Sequence, residues 1–409
     1  MPRIEGSVFV LPALLAPILP ERIVIGLLLI LLLVFSAIYG DRIKLKITNV
    51  NDETSIFNAI LLSTIMFSST LVGIPKSVVS AAMFVLAAHE LRRDAVLNIA
   101  IYTAFGFAYF LYYTTVTSEP INLDYLFFLS LIGALTAALV ESVEVDSDKR
   151  VTLLLAVATV YLIFNIYTPH TSMLDLAIAF AVSFILSLAA MKSGVADESG
   201  LMSATLIGTL IIVFTDIRFF VVLLSFYLIG SVATKYKYSL KLTRGVAEPA
   251  GGARGYANVF GNSFASLFFA FCYAVYQNEI FLIAFVASVA TALGDTMASE
   301  IGKTAERVYL ITNFKLVKPG VSGGVSLKGE TAATLGSLAT ILIALLLQVV
   351  DVNGAAIAFV TSIIGIHIDS LLGATLEEKG WLTNSGVNFF ATLSSGVICL
   401  VLGYGSSLV

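Results

Sequence analysis

The sequence predicts an all-α, polytopic transmembrane helical bundle of about 13–15 membrane helices, half-helices included. Three observations carry that reading. Only 12% of the 409 residues are charged and 58% are hydrophobic, whereas a soluble protein carries roughly 25% charged residues. Apolar runs of about 17–20 residues, long enough to cross a bilayer, recur along most of the chain. Lys and Arg fall almost entirely in alternate connecting segments, as they do in cytoplasmic loops.

Hydropathy places helices at 22–39, 57–73, 77–90, 95–114, 124–141, 151–168, 172–190, 201–215, 219–234, 257–276, 280–297, 331–349, 355–373 and 388–407. The runs 77–90 and 201–215 are short enough to be half-helices, and Val8–Leu19 reads as an interfacial or re-entrant piece. Pro12, Pro17 and Pro20 interrupt that first apolar stretch, so no cleaved signal is expected there. Cys272 and Cys399 both lie in apolar runs and read as small packing residues. The chain divides into an N-terminal helical block (1–174) and a second block (175–409) that holds nearly every polar motif. The stretch 131–160 echoes 363–393 in spacing; a degenerate repeat and chance similarity both account for it.

The segments 40–56, 91–94, 142–150, 191–200, 235–256, 298–330 and 374–387 hold nearly all the Lys and Arg, while the alternate ones hold Lys76 and Arg218. This puts the basic segments in the cytoplasm, with a prokaryotic cell membrane as the expected location. The motifs at 235–262, 294–302, 318–329 and 369–388 share that side. A transporter would need polar groups near mid-bilayer with access from both faces. Chemistry on one face, at headgroup depth, favours an enzyme joining a soluble substrate to a membrane-resident one. The formal charge of −4 gives no indication of nucleic acid, and none is expected as a partner.

Within GDTMASE (294–300), Asp295 and Ser299 share a helix face and Glu300 points elsewhere unless the helix breaks. A carboxylate at a membrane boundary is a metal-binding or catalytic group, Mg²⁺ being the expected ion, or else a snorkelling cap. Asp369, inside the apolar run 355–373, would be the second metal ligand, whereas Glu377 and Glu378 read as a solvated turn and His367 as a packing residue. In KPGVSGGVSLKG (318–329), Gly320, Gly323 and Gly324 let backbone N–H groups converge on an anion; Ser322, Ser326 and Lys318 add hydroxyls and charge. A flexible loop is the alternative. Arg254 sits among glycines and is followed by Asn258, a pattern suited to phosphate or nucleotide contacts; Lys235 is a further cation of the same segment. Asp197 with Ser199, and Asn384 with Asn388, open two helices, where capping competes with a site role. Small residues (Ala284, Ser288, Ala292; Ala332, Ala333; Gly365, Gly373, Ala374) are expected to let the helices carrying Asp295, Glu330 and Asp369 pack closely.

These islands together resemble the integral membrane proteins filed as domain of unknown function ninety-two, a family that includes animal transmembrane protein nineteen and the plant chloroplast phytyl-phosphate kinase. The resemblance runs from about 175 to 409. It rests on D-E-S-G (197–200), S-x-x-T-K-Y-K (231–237), G-G-A-R-G-Y-A-N-V (251–259), G-D-T-x-A-S-E (294–300), K-P-G-x-S-G-G-V-S-x-x-G (318–329), D-S-L-L-G-A (369–374) and V-N-F (387–389). The G-D-T-x-A-S element is also similar to CTP-dependent dolichol and phytol kinases and CDP-diacylglycerol synthases. The resemblance implies transfer of the γ-phosphoryl group of CTP or another NTP to an isoprenoid lipid monophosphate, with Asp295, Glu300, Lys318, Asp369 and Arg254 as site residues. The residue reading agrees on the class, because phosphoryl transfer needs metal-bridged phosphates, neutralising cations and positioning. A CTP-dependent cytidylyltransferase and a flippase of a phosphorylated lipid are the alternatives.

Overall fold

The computed structural model describes residues 4–40, 43, 52–91, 94–144, 149–248 and 252–405. Arg42, Lys44, Lys46, Arg92 and Arg93, counted above among the cytoplasmic cations, and Gly251 lie outside the described residues. The chain forms two compact units, Met1–Ala177 and Ile178–Val409.

The first unit holds α1 (Ile4–Leu15), α2 (Glu21–Tyr39), α3 (Asp52–Ser68), α4 (Lys76–Ala87), α5 (Ala95–Thr117), α6 (Leu123–Ser142) and α7 (Lys149–Ile166), and α8 (Met173–Lys192) begins in it. Its most deeply buried helix is α6, which packs on α5 and α7. Gly133 lets the Tyr161 ring approach α6 closely, since a Cβ there would fall 2.7 Å from Tyr161 Cζ. Tyr109 and Tyr112 donate hydroxyls to the Ala13 and Leu14 carbonyls, 2.8 and 2.7 Å away, and so tie α5 to α1.

The second unit continues with α9 (Glu198–Phe214), α10 (Ile217–Lys235), the short α11 (Tyr238–Thr243), α12 (Tyr256–Tyr276), α13 (Ile280–Gly302), α14 (Leu327–Leu346), α15 (Val352–Leu372) and α16 (Asn384–Gly405). Among the described residues, eleven helices are long and apolar enough to cross a membrane, with shorter apolar helices at Ile56–Val72, Lys76–Ala87 and Glu198–Phe214. All fourteen helices expected from hydropathy are therefore present, two of the short ones at the expected half-helix positions. This is an integral, multi-pass, all-α membrane protein.

Two differences from the sequence reading shape the site. First, α13 does not end at 297 but runs to Gly302, so Asp295 lies two turns inside the helix rather than at its end. Second, the 298–330 segment is not an open loop. Val308–Leu310 (β1), Leu316–Val317 (β2) and Gly324–Val325 (β3) form a small antiparallel sheet in the order β2-β1-β3. Three two- to three-residue strands add little stability alone, but they fix the glycine-rich stretch in place.

The unit is built around α13, which packs against α10, α12, α14, α15 and α16. Its buried positions Ala284, Ser288 and Ala292 share one small-sided face, and Ser288 and Thr291 satisfy their hydroxyls on backbone carbonyls, as a lipid-embedded bundle favours. Ser288 donates to the Ala284 carbonyl at 3.0 Å and to Thr392 of α16 at 2.9 Å. The tightest crossing is with α14: a Cβ at Gly336 would lie 2.9 Å from Met297 Sδ and 3.1 Å from Gly294 Cα. Gly294 in turn approaches Ser337 and Ile366, and Gly365 of α15 approaches Thr291 within a prospective 2.9 Å. Gly336→Leu should therefore overpack this crossing and lower stability by about 1–3 kcal/mol. Gly26→Leu serves as the control, because nothing lies within 4 Å of a Cβ there. Thermal unfolding of the two variants in detergent checks it, and an equal midpoint would refute the crossing.

Candidate active site

At one end of the second unit lies a cavity of about 560 Å³. The chain reverses direction at each helix, so its lining alternates between helix starts and helix ends. Asp197 and Ser199 open α9, Gly255 to Asn258 open α12, Ser326 to Glu330 open α14, and Asn384 to Asn388 open α16. Asp295 to Gly302 come from the C-terminal half of α13, and Asp369 to Glu377 from the end of α15 and the π-helical turn Gly373–Glu377. Arg218, Asn278 and Asp351 stand at the opposite helix ends. The cavity is thus one-ended.

That arrangement separates charge. Four helix N-termini, each a positive dipole end, border the cavity and favour anions. The carboxylates Asp295, Glu300, Asp369 and Glu377 approach from the C-terminal halves of α13 and α15, where helix dipoles do not offset negative charge. Among the described residues, Asp295, Asp369 and Glu377 form no ion pair. Asp369 is 8% exposed, its Oδ1 makes no hydrogen bond, and it feels the charges of Asp295 and Glu377.

Glu300 is treated differently. Five residues after Asp295, it is rotated by roughly 140°. Its carboxylate takes an ion pair from Lys241, which is fully buried, and a second from Lys303 at 2.8 Å. Lys303 also pairs with Glu248 at 2.5 Å. This four-residue network ties α11 and Glu248 to the end of α13. Arg244 adds hydrogen bonds to the Lys303 and Ala305 carbonyls at 2.9 and 2.8 Å. Burial pushes the Glu248 carboxyl up, but the hydrogen bond and charge of Lys303 outweigh it and hold Glu248 below its usual range. Burial lowers the Lys303 ammonium, yet Glu300 and Glu248 together raise it above its ordinary value.

Arg254 is held from several sides. Its backbone bridges to Ala196, donating N–H to Val195 O at 2.9 Å and accepting from Asp197 N–H at 3.2 Å. Its guanidinium stacks over Phe226 and Tyr227, 4.9 and 5.5 Å from the ring centroids. Gly230 makes room for it, since a Cβ there would fall 2.7 Å from Nη2. Burial draws the guanidinium below its ordinary value, but it stays charged at any working pH. Arg254 Nη1 and Asn258 Oδ1 are buried without a hydrogen-bond partner. Together with Asp369 Oδ1, three orphaned buried polar atoms line one cavity. Leaving such groups unpaired costs about 1–3 kcal/mol each, so they mark a place where a polar ligand completes the structure.

The glycine-rich stretch closes the cavity from above. Gly320 and Gly323 have φ of +90° and +74°, conformations that favour glycine. Gly323 sits directly on the end of α15: a Cβ would lie 2.7 Å from Ala374 N. Ser322 lines the cavity, while Ser326 caps α14 by accepting from Gly329 N–H at 3.1 Å. Asp197 and Ser199 likewise have local duties. Asp197 accepts from Gly200 N–H at 2.8 Å and from Ser199 Oγ at 2.7 Å, and Ser199 accepts from Tyr256 N–H at 2.9 Å. They thereby fix the Arg254 segment against α9. Asn388 reaches Asn262 at 3.4 Å, and Asn262 bonds to the Asn258 carbonyl at 2.9 Å.

Of the residues singled out in the sequence, Asp295, Asp369, Glu300, Arg254, Asn258, Gly320, Ser322, Gly323, Gly324, Ser326, Asp197, Ser199, Asn384 and Asn388 all border the cavity. Lys235 and Lys318 do not; both are exposed and outside its lining. Glu377 is the reverse case: it reads as part of a solvated Glu-Glu-Lys turn, yet the π-helical turn swings it into the lining while Glu378 stays exposed. Lys241 is buried under the site although it sits in a run of cations. His367 bonds to its own helix at Ile363 O, 2.8 Å, and approaches Glu330 at 3.5 Å; it is half-exposed rather than packed. No group of three or more His, Cys, Asp or Glu forms a ready-made metal cage among the described residues. A Mg²⁺ bound by one or two carboxylates and by substrate phosphates needs none, and the unpaired hard-oxygen donors of Asp295 and Asp369 fit that mode.

Fold and site define a multi-pass membrane protein with a one-ended, charge-separated polar cavity. The chain belongs to the integral membrane protein family DUF92, which it matches over residues 181–396, within the second unit. It is 34% identical over 229 residues to the chloroplastic protein VTE6 of Arabidopsis thaliana, covering 54% of this chain and 68% of that protein. It is 29% identical over 232 residues to an uncharacterized membrane protein of Methanocaldococcus jannaschii, covering 56% and 95%. An uncharacterized membrane protein of Synechocystis is 30% identical over 233 residues, covering 56% and 90%. No solved structure matches the chain.

Removing Lys241 takes away one of the two cations of the buried Glu300 and leaves it with Lys303 alone, so Lys241→Ala should cost up to about 3 kcal/mol, read as a lowered unfolding midpoint; no change would show that Glu300 does not need it. The network also predicts a stability plateau in pH. The depressed Glu248 contributes stability above its unfolded value of about 4.3, lost as pH falls through its lower folded value. The raised Lys303 contributes below about 10.4, lost as pH rises through its higher folded value. Glu248→Gln should remove its share of the acid-side loss in melts across pH.

Proposed function

We propose that the protein is a membrane-embedded kinase that transfers the γ-phosphoryl group of CTP, or another NTP, to a prenyl or polyprenyl monophosphate, giving the diphosphate. The observation that carries this reading is the set of orphaned polar atoms: Arg254 Nη1, Asn258 Oδ1 and Asp369 Oδ1 share one cavity. The Arg254 donor awaits an oxygen-rich anion on one side, and the acceptors Asn258 Oδ1 and Asp369 Oδ1 await a donor or a positive ion on the other. A metal-bound triphosphate and an acceptor phosphate together meet both demands. The cytoplasmic face is the side on which nucleotide is available, and the Lys/Arg alternation supports a cavity on that side.

In this reading an acceptor phosphate oxygen attacks the γ-phosphorus, the bond from γ-phosphorus to the β-γ bridging oxygen breaks, and the nucleoside diphosphate leaves. A phosphate nucleophile is already anionic at neutral pH, so no strong general base is required. Arg254 and the backbone of 320–326 hold and neutralise phosphate oxygens, and the N-termini of α12, α14 and α16 add fixed partial positive charge. Asp295 and Asp369 would hold Mg²⁺, which would neutralise and orient the nucleotide phosphates. Glu300, already engaged by Lys241 and Lys303, acts by positioning the end of α13.

Asp295→Asn should lower turnover about 100- to 1,000-fold while leaving the melting midpoint nearly unchanged, because no ion pair is lost. Purified protein with γ-labelled NTP, Mg²⁺ and polyprenyl phosphates gives the measurement. Release of pyrophosphate in place of CDP would identify a cytidylyltransferase instead, and uptake of lipid phosphate into proteoliposomes without nucleotide turnover would identify a flippase. More than about a tenth of wild-type turnover in Asp295→Asn would remove Asp295 from the metal-binding role.

A further inference from the structure

The polar cavity has an apolar neighbour. A slot of about 70 Å³ lies between α8, α9 and α10, walled by Leu186, Ala190, Ala204, Ile207 and Leu224. Its polar end is Arg254, which also lines the large cavity. The three helices pinch together deeper in the bundle, where a Cβ on Gly208 would lie 2.7 Å from Phe220 Cε2 and 2.8 Å from Ser183 Oγ. From that pinch the slot residues run toward the cavity end on every wall. They lead from 183 toward 190 on α8, from 208 toward 204 on α9, and from 220 toward 227 on α10. The slot therefore leads from apolar depth to the buried guanidinium. Leu186 is 38% exposed, so the wall is continuous with the outer apolar surface of the unit.

A buried cation with an unpartnered N–H at the junction of a polar cavity and an apolar slot suits one chemistry: an anionic head on a hydrocarbon chain. Stacking on Phe226 and Tyr227 fixes the guanidinium there without using its hydrogen bonds, which leaves Nη1 for the ligand. We infer that the slot between α8, α9 and α10 takes the chain of the prenyl monophosphate acceptor next to its head, and that Arg254 binds the acceptor's phosphate. The 320–326 backbone and the starts of α14 and α16 are then left for the nucleotide. The inference rests on the lipid-phosphate acceptor proposed above.

The test uses the full chain in lipid nanodiscs and a radiolabelled prenyl monophosphate carrying a diazirine on its second isoprene unit. Irradiation without nucleotide, followed by peptide mapping, should place adducts within 186–190, 204–207 and 220–224, and unlabelled prenyl monophosphate should compete them away. Ala204→Phe, which fills the slot, should cut adduct yield and raise the acceptor KM on the order of 10-fold, with the nucleotide KM unchanged. Adducts confined to α14, α15 or α16, or equal labelling by a phosphate-free diazirine prenol, would overturn the assignment. Slot adducts in a protein that turns over no nucleotide would uphold the lipid-phosphate site and overturn the kinase reading. Phosphoryl transfer with adducts elsewhere would overturn the slot alone.

Discussion

The close approach of α13 to α14 and α15 at Gly294, Gly336 and Gly365 is the constraint on which the second unit depends. Between helices in lipid the hydrophobic effect supplies little, and association rests on van der Waals contact and a few hydrogen bonds. Side chains no larger than glycine at these crossings let the backbones meet, and that contact sets where Asp295 and Asp369 stand. With a larger residue at Gly294, α13 could not lie against both Ile366 and Ser337, and the two carboxylates would not border the same cavity.

Around this core the cavity is organised by helix direction. Antiparallel neighbours bring starts and ends of helices to the same level, so anion-favouring N-termini alternate with carboxylate-bearing C-terminal halves. Two carboxylate environments result on one helix. Glu300 is neutralised from within by Lys241 and Lys303, which makes it part of the scaffold. Asp295 is not, which leaves its charge to be met from outside. The same contrast separates Arg254, whose packing leaves a donor unused, from Arg244, whose guanidinium bonds to the carbonyls of Lys303 and Ala305.

The glycine-rich stretch shows how weak elements become rigid by being pinned. The three short strands could not persist alone, but Gly323 docks on the end of α15 and Ser326 caps α14. The stretch is thus anchored on both sides of the cavity, and its backbone is presented to it without the entropy cost of ordering a free loop.

Hydropathy alone determined the order of the fourteen apolar helices, though not the short α11, because a membrane helix must hide its own backbone in about 20 apolar residues whatever its neighbours do. It also marked Asp295 and Asp369, since a carboxylate inside such a run is costly and stands out. The glycines flanking Arg254 were legible for the same reason: a cation hemmed by residues without side chains needs close approach. Only the tertiary structure decided which polar groups are paired. Glu300 looks as available as Asp295 until α11 supplies Lys241. Glu377 looks solvated until a π-helical turn brings it into the lining, and Lys235 and Lys318 look like phosphate ligands until they prove to be exposed and outside the cavity lining. Pairing depends on neighbours tens of residues away in the chain, and that distance carries no local pattern for a sequence to show.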